Sequence, residues 1–308
     1  MELILDKYRL RRSLQGAGLS QLRNISGQET ERWQSWELPG PAYFKPTHGV
    51  MSAYVRRCAS FVELESARRD FRARSANEPL WVSSYLSSHG EHYHLEEEID
   101  GELLSVEAIS EGGRFQCLGL LSRILYSKNA VIEMGSCFPY PHPQQARIVE
   151  LVRQAHQSFG FHDGPSHTEV IVDANGRIEI IDWNPRFVGA DVLWSINHAY
   201  GIAIQEVLLD WALGRPLVVE PREQQFSCLQ YILPPHRLGF QSLELPDAPE
   251  VKFRATLKKP GTHVESIDQQ TDYLGCYLTV MPTFAGAVSR SRELRNSVRI
   301  NGSLEGAY

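Results

Sequence analysis

Residues 167–189, H-T-E-V-I-V-D-A-N-G-R-I-E-I-I-D-W-N-P-R-F-V-G, set Asn175-Gly176 between two apolar-rich runs, 169–173 and 177–182. Asn-Gly in that setting is the strongest short-range hairpin signal, because a type I′ turn needs φ > 0 at both central positions. A two-residue turn would put Ala174 opposite Arg177, Ile171 opposite Ile180 and Glu169 opposite Asp182. Side chains so opposed stand ~5 Å apart on one face, and two carboxylates at that spacing repel unless a cation lies between them. Asn184, two residues further, would add an amide oxygen to that face, and Arg186 would follow the same alternation towards an anion. Two carboxylates and an amide oxygen, with room for water or phosphate, suit Mg²⁺ better than zinc. The plainer alternative, a surface hairpin that happens to be acidic, leaves the opposed like charges and D-x-N-P-R unexplained.

A chain of 308 residues has room for two domains or one large unit with subdomains, and 42% hydrophobic with 22% charged residues is ordinary for a globular protein. A net charge of −6 argues against a nucleic-acid partner. No apolar run approaches the ~20 residues of a membrane span. The start, M-E-L-I-L-D-K, lacks the basic opening and long apolar core of a signal peptide. Cys58, Cys117, Cys137, Cys228 and Cys276 are scattered, without C-x-x-C spacing, as expected of reduced thiols in a cytoplasmic protein.

Taken in order, residues 6–19 predict a short helix capped by Asp6, with Leu10 and Leu14 on its apolar side and Gly16 and Gly18 to end it. Residues 28–36 predict a polar helix, and 42–46 a strand ending in Lys45-Pro46. The small-residue loop T-H-G-V-M-S follows, a setting in which backbone amides can cradle phosphate, although no P-loop sequence occurs. Helix-like residues 61–71 come next, then strands over 80–86 and on either side of Asp100-Gly101. His89, His92 and His94 match no standard zinc spacing and are read as polar surface near a strand end. Strands are expected over 118–126 and 130–134, and Glu133 is either substrate-facing or an ordinary strand-end acid. Residues 144–159 carry the clearest helical stripe, and 190–213 predict one further helix. Short strands over 228–233, 251–255, 274–280 and 297–300, with a helix over 283–294, complete the chain. Trp183 and Trp194 are read as packing residues.

Five segments then recur in a familiar order: D-K-Y-R-L-R-R-S-L, F-K-P with its small-residue loop, L-E-E-E-I-D-G, G-x-x-H-T-E and I-D-W-N-P-R-F-V-G. Together they resemble the ATP-grasp superfamily of carboxylate–amine ligases, nearest its amino-acid ligase branch (dipeptide and dapdiamide-type synthetases), with biotin carboxylase more distant. The resemblance runs from Asp6 to about residue 300. It implies an α+β fold in which two subdomains grip the nucleotide between antiparallel sheets. The lead-in helix would occupy 1–21, a small lid 22–97 and the large subdomain 98–308.

The resemblance also implies roles residue by residue. Lys7 and Lys45 would contact ATP phosphates under the loop 47–52, where Ser52 is the side-chain contact. Glu96, with the backbone of Glu97 and Ile99, would hold adenine. Glu169, Asp182 and Asn184 would ligate Mg²⁺, with Mn²⁺ as an alternative, and Arg186 would meet the acyl phosphate. Relatives usually carry Glu where this chain has Asp182, one methylene shorter. Where they place the ribose acid this chain has Leu103, so the neighbouring Glu102 is the candidate. The loop after Lys45 is poorer in glycine than in many relatives. Relatives also carry ~100 residues of α/β domain before the first helix, the size of a small domain; a homodimer partner, a separate subunit or the C-terminal region would have to stand in for it here. The implied reaction joins a carboxylate to an amine, both small molecules such as amino acids or peptide-like biosynthetic precursors. The alternatives are a carboxylase of the biotin or purine-pathway type, and a nucleotide-binding subunit completed by a partner.

Overall fold

The computed structural model describes residues 6–49, 54–75, 92–126, 129–217, 219–234, 237–264 and 272–304. Ser52, the expected strand over 80–86 and His89 fall outside them. The chain divides into two compact units, one of Met1–Glu102 with Glu169–Pro185, the other of Leu103–Thr168 with Arg186–Tyr308.

The first unit begins with helix α1 (Lys7–Gly16). Asp6 caps it as expected, its carboxylate accepting the Arg9 amide at 3.0 Å and satisfying a donor the first turn cannot pair internally. Leu10 and Leu14 are buried, each contributing about 2 kcal/mol of apolar transfer. Strand β1 (Asn24–Ser26) leads into α2 (Gly27–Thr30), a single turn where a helix over 28–36 was expected. That segment has no apolar period to bury, and Trp33 and Trp36 instead pack edge to face with centroids 5.9 Å apart. Strands β2 (Ala42–Pro46), β3 (Arg56–Cys58) and β4 (Tyr93–Glu97) complete an antiparallel sheet of order β1-β4-β2-β3, with α3 (Phe61–Ser75) between β3 and β4. Phe44, Leu64, Phe71 and Leu95 anchor its core. In this register Lys45 lies directly across from His94.

The second unit pairs β5 (Glu102–Glu111) with β6 (Arg114–Ser122), antiparallel and bulged between Glu107 and Ala108. Strands β7 (Ile124–Tyr126) and β8 (Asn129–Phe138) lead to helix α4 (Gln145–Ser158). Strand β9 (Gly164–Val172) starts in this unit and ends in the first, where β10 (Ile178–Asn184) follows the turn. The single helix expected over 190–213 is two, α5 (Ala190–Tyr200) and α6 (Ile204–Ala212). Gly201 breaks it at φ +62°, and the Asn197 side-chain oxygen accepts the Ile204 amide at 3.0 Å to start the second. Strands β11 (Phe226–Ile232), β12 (Leu238–Gly239), β13 (Leu243–Glu244), β14 (Val251–Thr256), β15 (His263–Val264) and β16 (Gly275–Met281) follow. Helix α7 (Phe284–Arg295) and the short strands β17 (Arg299–Ile300) and β18 (Ser303–Leu304) end the described chain. The central sheet of this unit has order β14-β16-β11-β8-β7. Among the described residues no helix is long and apolar enough to cross a membrane.

Candidate functional site

The turn at Asn175-Gly176 forms, with different geometry from the expected one. The Asp173 amide donates to the Arg177 carbonyl and the Gly176 amide to the Asp173 carbonyl, both at 2.9 Å. Three residues, Ala174 to Gly176, therefore make the connection, and only Gly176 has positive φ, +78°. The Asp173 side chain explains the preference: its Oδ1 accepts the amides of Asn175 and Arg177 at 2.8 and 2.9 Å, which stabilises a non-primed turn. Pairing next to the turn is thus shifted by one residue from the register expected by sequence. Along β10, moreover, burial does not alternate: Glu179 and Ile180 are both buried, Ile181 and Asp182 both half-buried.

Helix α1 supplies what simple alternation does not. Its Lys7 and Arg11 lie one turn apart on the same face. The Lys7 ammonium reaches Asp182 Oδ1 at 2.5 Å. Arg11 Nε reaches Glu96 Oε2 at 2.8 Å, and its Nη1 reaches Ser20 Oγ at 2.7 Å and Glu179 Oε2 at 3.4 Å. From β2, Lys45 Nζ approaches Glu96 Oε1 at 2.5 Å. Asn184 donates through Nδ2 to Asp182 Oδ2 at 3.2 Å. Six of the residues singled out in the sequence thus share one neighbourhood: Lys7, Lys45, Glu96, Glu169, Asp182 and Asn184.

The electrostatics agree. Burial alone would lower the Lys7 pKa; the charge and hydrogen bond of Asp182, aided by Glu169 and Glu96, overcome it and raise the pKa above the ordinary lysine value. Glu169 sits half-buried on β9 within reach of that ammonium. Burial would raise the Glu96 pKa, but Arg11, Lys45 and His94 hold it well below the usual carboxylate range. The carboxylates around Lys7 thus favour its charged form. Two carboxylates and an amide are a hard donor set that fits a magnesium-type ion. Among the described residues no group of three His, Cys, Asp or Glu side chains gathers as a metal site.

The Glu97 amide donates to the Arg23 carbonyl and its carboxylate accepts the Arg23 amide, both at 2.9 Å. Ile99 is half-buried beyond the end of β4, and Glu102 is exposed at the start of β5. Arg186 belongs to the second unit, where its side chain is exposed and donates to the Phe187 carbonyl at 2.8 Å. Trp194, read as packing, is 38% exposed and stacks on Phe253.

Sequence reasoning missed several buried polar groups. His94 is not surface: it is fully buried on the Lys45 side of β4, neither ring nitrogen has a hydrogen-bond partner, and burial lowers its pKa to about 3. Arg11 and Glu179 are also buried; the signals were the i, i+4 spacing of Arg11 from Lys7 and a lone Glu in an isoleucine-rich strand. In the second unit Glu107 accepts from His167 Nδ1 and, at 3.2 Å, from the Val188 amide. Arg123 meets His167 Nε2 at 3.0 Å and Glu133 through its other terminal nitrogen. A guanidinium only donates, so His167 Nε2 accepts and its proton lies on Nδ1, facing Glu107. Glu133 is therefore an ion-paired acid.

A family model described as an ATP-grasp domain matches residues 38–193. Alanine–anticapsin ligase of Bacillus amyloliquefaciens is 24% identical over 223 residues, 67% of this chain and 46% of that protein. The chain therefore spans about half the length of the curated relatives it matches. The crystal structure of L-amino acid ligase from Bacillus licheniformis has a TM-score of 0.81 at 23% identity, covering 97% of this chain and 73% of that one. The biotin carboxylase domain of Hydrogenobacter thermophilus 2-oxoglutarate carboxylase, crystallised with MgADP and bicarbonate, has a TM-score of 0.71 at 18% identity, covering 97% and 67%. These likenesses establish the fold.

Proposed function

Since this chain belongs to the ATP-grasp family, we propose that it is an ATP-dependent ligase that activates a carboxylate as an acyl phosphate and joins it to an amine. An amino acid or a peptide-like precursor fits the substrate class of the ligase relatives. A substrate carboxylate attacks the γ-phosphate and ADP leaves; the amine then displaces phosphate from the acyl carbon. Catalysis of this kind rests on alignment and on neutralising charge spread over the moving phosphoryl group.

The roles follow from the charges. Lys45 and Lys7 pair with the phosphates, and Glu96, with the backbone of Glu97 and of Ile99 just past β4, holds adenine. Ser52 and Glu102 are the proposed contacts to phosphate and ribose. Glu169, Asp182 and Asn184 would hold Mg²⁺, which when bound supplies neutralising charge at the phosphate oxygens. Arg186 is the proposed partner of the acyl phosphate. The observation that carries this reading is the meeting of both lysines with carboxylates from the adenine strand and the hairpin, Lys45 with Glu96 and Lys7 with Asp182 at 2.5 Å each.

A phosphate-release screen over pairs of amino acids and other carboxylates tests it, with Glu169→Gln as the blank. Release of ADP and phosphate that needs both an acid and an amine is the expected result. Turnover that needs bicarbonate and no amine, or no turnover with any pair, would overturn it.

A further inference from the structure

Both oxygens of Asp182 already have donors. Lys7 Nζ holds Oδ1 at 2.5 Å and Asn184 Nδ2 faces Oδ2 at 3.2 Å. An ammonium on Asp182, with Glu169 also in its field, occupies electrostatically the position a divalent cation would take. Two cations cannot share that carboxylate in a half-buried place without strong repulsion. Lys7 can leave only if another anion receives it. The side chains of Lys7 and Asp182 are 16% and 21% exposed, so water alone is a poor substitute.

Resting on the ligase reading above, we propose that Lys7 is a resident counter-cation that makes divalent-metal binding depend on nucleotide. Without nucleotide the ammonium holds Asp182 and excludes the metal. With nucleotide the ammonium moves to a phosphate oxygen, Asp182 is released to the metal, and Asn184 turns its amide oxygen inward. The exchange breaks one ion pair and forms two, with no net change of protonation. Coupling is reciprocal: metal and nucleotide raise each other's affinity by the same factor, part of which comes from Lys7.

Mn²⁺ titration followed by electron paramagnetic resonance, with and without ADP, tests this on the full chain. In the absence of ADP, Lys7→Met should bind Mn²⁺ about tenfold tighter than the parent, and ADP should improve its metal affinity by a smaller factor. Lys7→Arg keeps a cation there and should bind as weakly as the parent; circular dichroism verifies that each variant is folded. Asp182→Asn should abolish the gain when combined with Lys7→Met. Equal Mn²⁺ affinity in the parent and a folded Lys7→Met, with Asp182→Asn weaker than both, would overturn the exchange while leaving the metal site in place. Mn²⁺ binding indifferent to Asp182→Asn, or absent even with ADP, would overturn both the exchange and the metal assignment beneath it.

Discussion

Arg11 Nε and Glu96 Oε2 stand 2.8 Å apart with both side chains withdrawn from water, and the same guanidinium reaches Glu179 from the hairpin. Removing one partner of a buried pair leaves an uncompensated charge, which is far costlier than the pair's net worth. Arg11→Ala leaves Glu96 to Lys45 at 2.5 Å and Glu179 to Arg177 at 2.7 Å, so neither carboxylate is fully stranded and the cost falls below that limit. The variant's free energy of unfolding in urea should fall by about 1.5–3 kcal/mol, the range for lost hydrogen bonds to charged groups. Arg11→Lys should recover only part, because one ammonium cannot reach Glu96, Glu179 and Ser20 from a single geometry.

Gly101 lies against the hairpin backbone: a Cβ there would sit 2.4 Å from the Val172 carbonyl oxygen. Backbone cannot move aside as a flexible side chain can. Gly101→Ala should lower stability by about 1–3 kcal/mol, read as a lower urea midpoint with an unchanged slope.

Lys45 contacts Glu96 in the structure and a phosphate in the proposed complex. Lys45→Met should weaken ADP binding by about 1.5–3 kcal/mol, roughly tenfold to more than a hundredfold, by isothermal titration. Arg11 remains to balance Glu96, so the melting temperature should move far less than in Arg11→Ala.

His156 is buried in α4 between Ser110 and Ser166, each 3.0 Å from a ring nitrogen. Burial lowers its pKa from the ordinary 6.5 to about 4. The unfolded chain then binds the proton more readily, so this group's stabilisation is complete above pH 6.5 and lost as pH falls towards 4. The loss should reach about 3 kcal/mol for a shift of this size. Urea titrations at pH 7, 5.5 and 4 should show it, and His156→Gln should flatten that part of the profile.

Local rules carried far in this chain. Asp6 capped α1 because its oxygen reaches an amide three residues on, and the turn fell at Asn175-Gly176 because few residues accept positive φ. They failed where two local solutions compete. The Asp173 side chain favoured a three-residue turn over a two-residue one, and Gly201 cut an apolar run that has helical period on both sides of it. His94 looked like surface because a histidine at a strand end carries no mark of what packs over it.

The sequence by itself determined the elements, the position of the reversal and the inventory of lysines, carboxylates and amide, since each depends on neighbours a few residues away. Only the tertiary structure decided which charge meets which: Lys7 with Asp182, Arg11 with both Glu96 and Glu179. Those partners are 85 to 175 residues apart, and their meeting depends on how α1 packs across β4 and β10. Periodicity records which face of an element is apolar, and it holds no record of the distant charge that face will bring near.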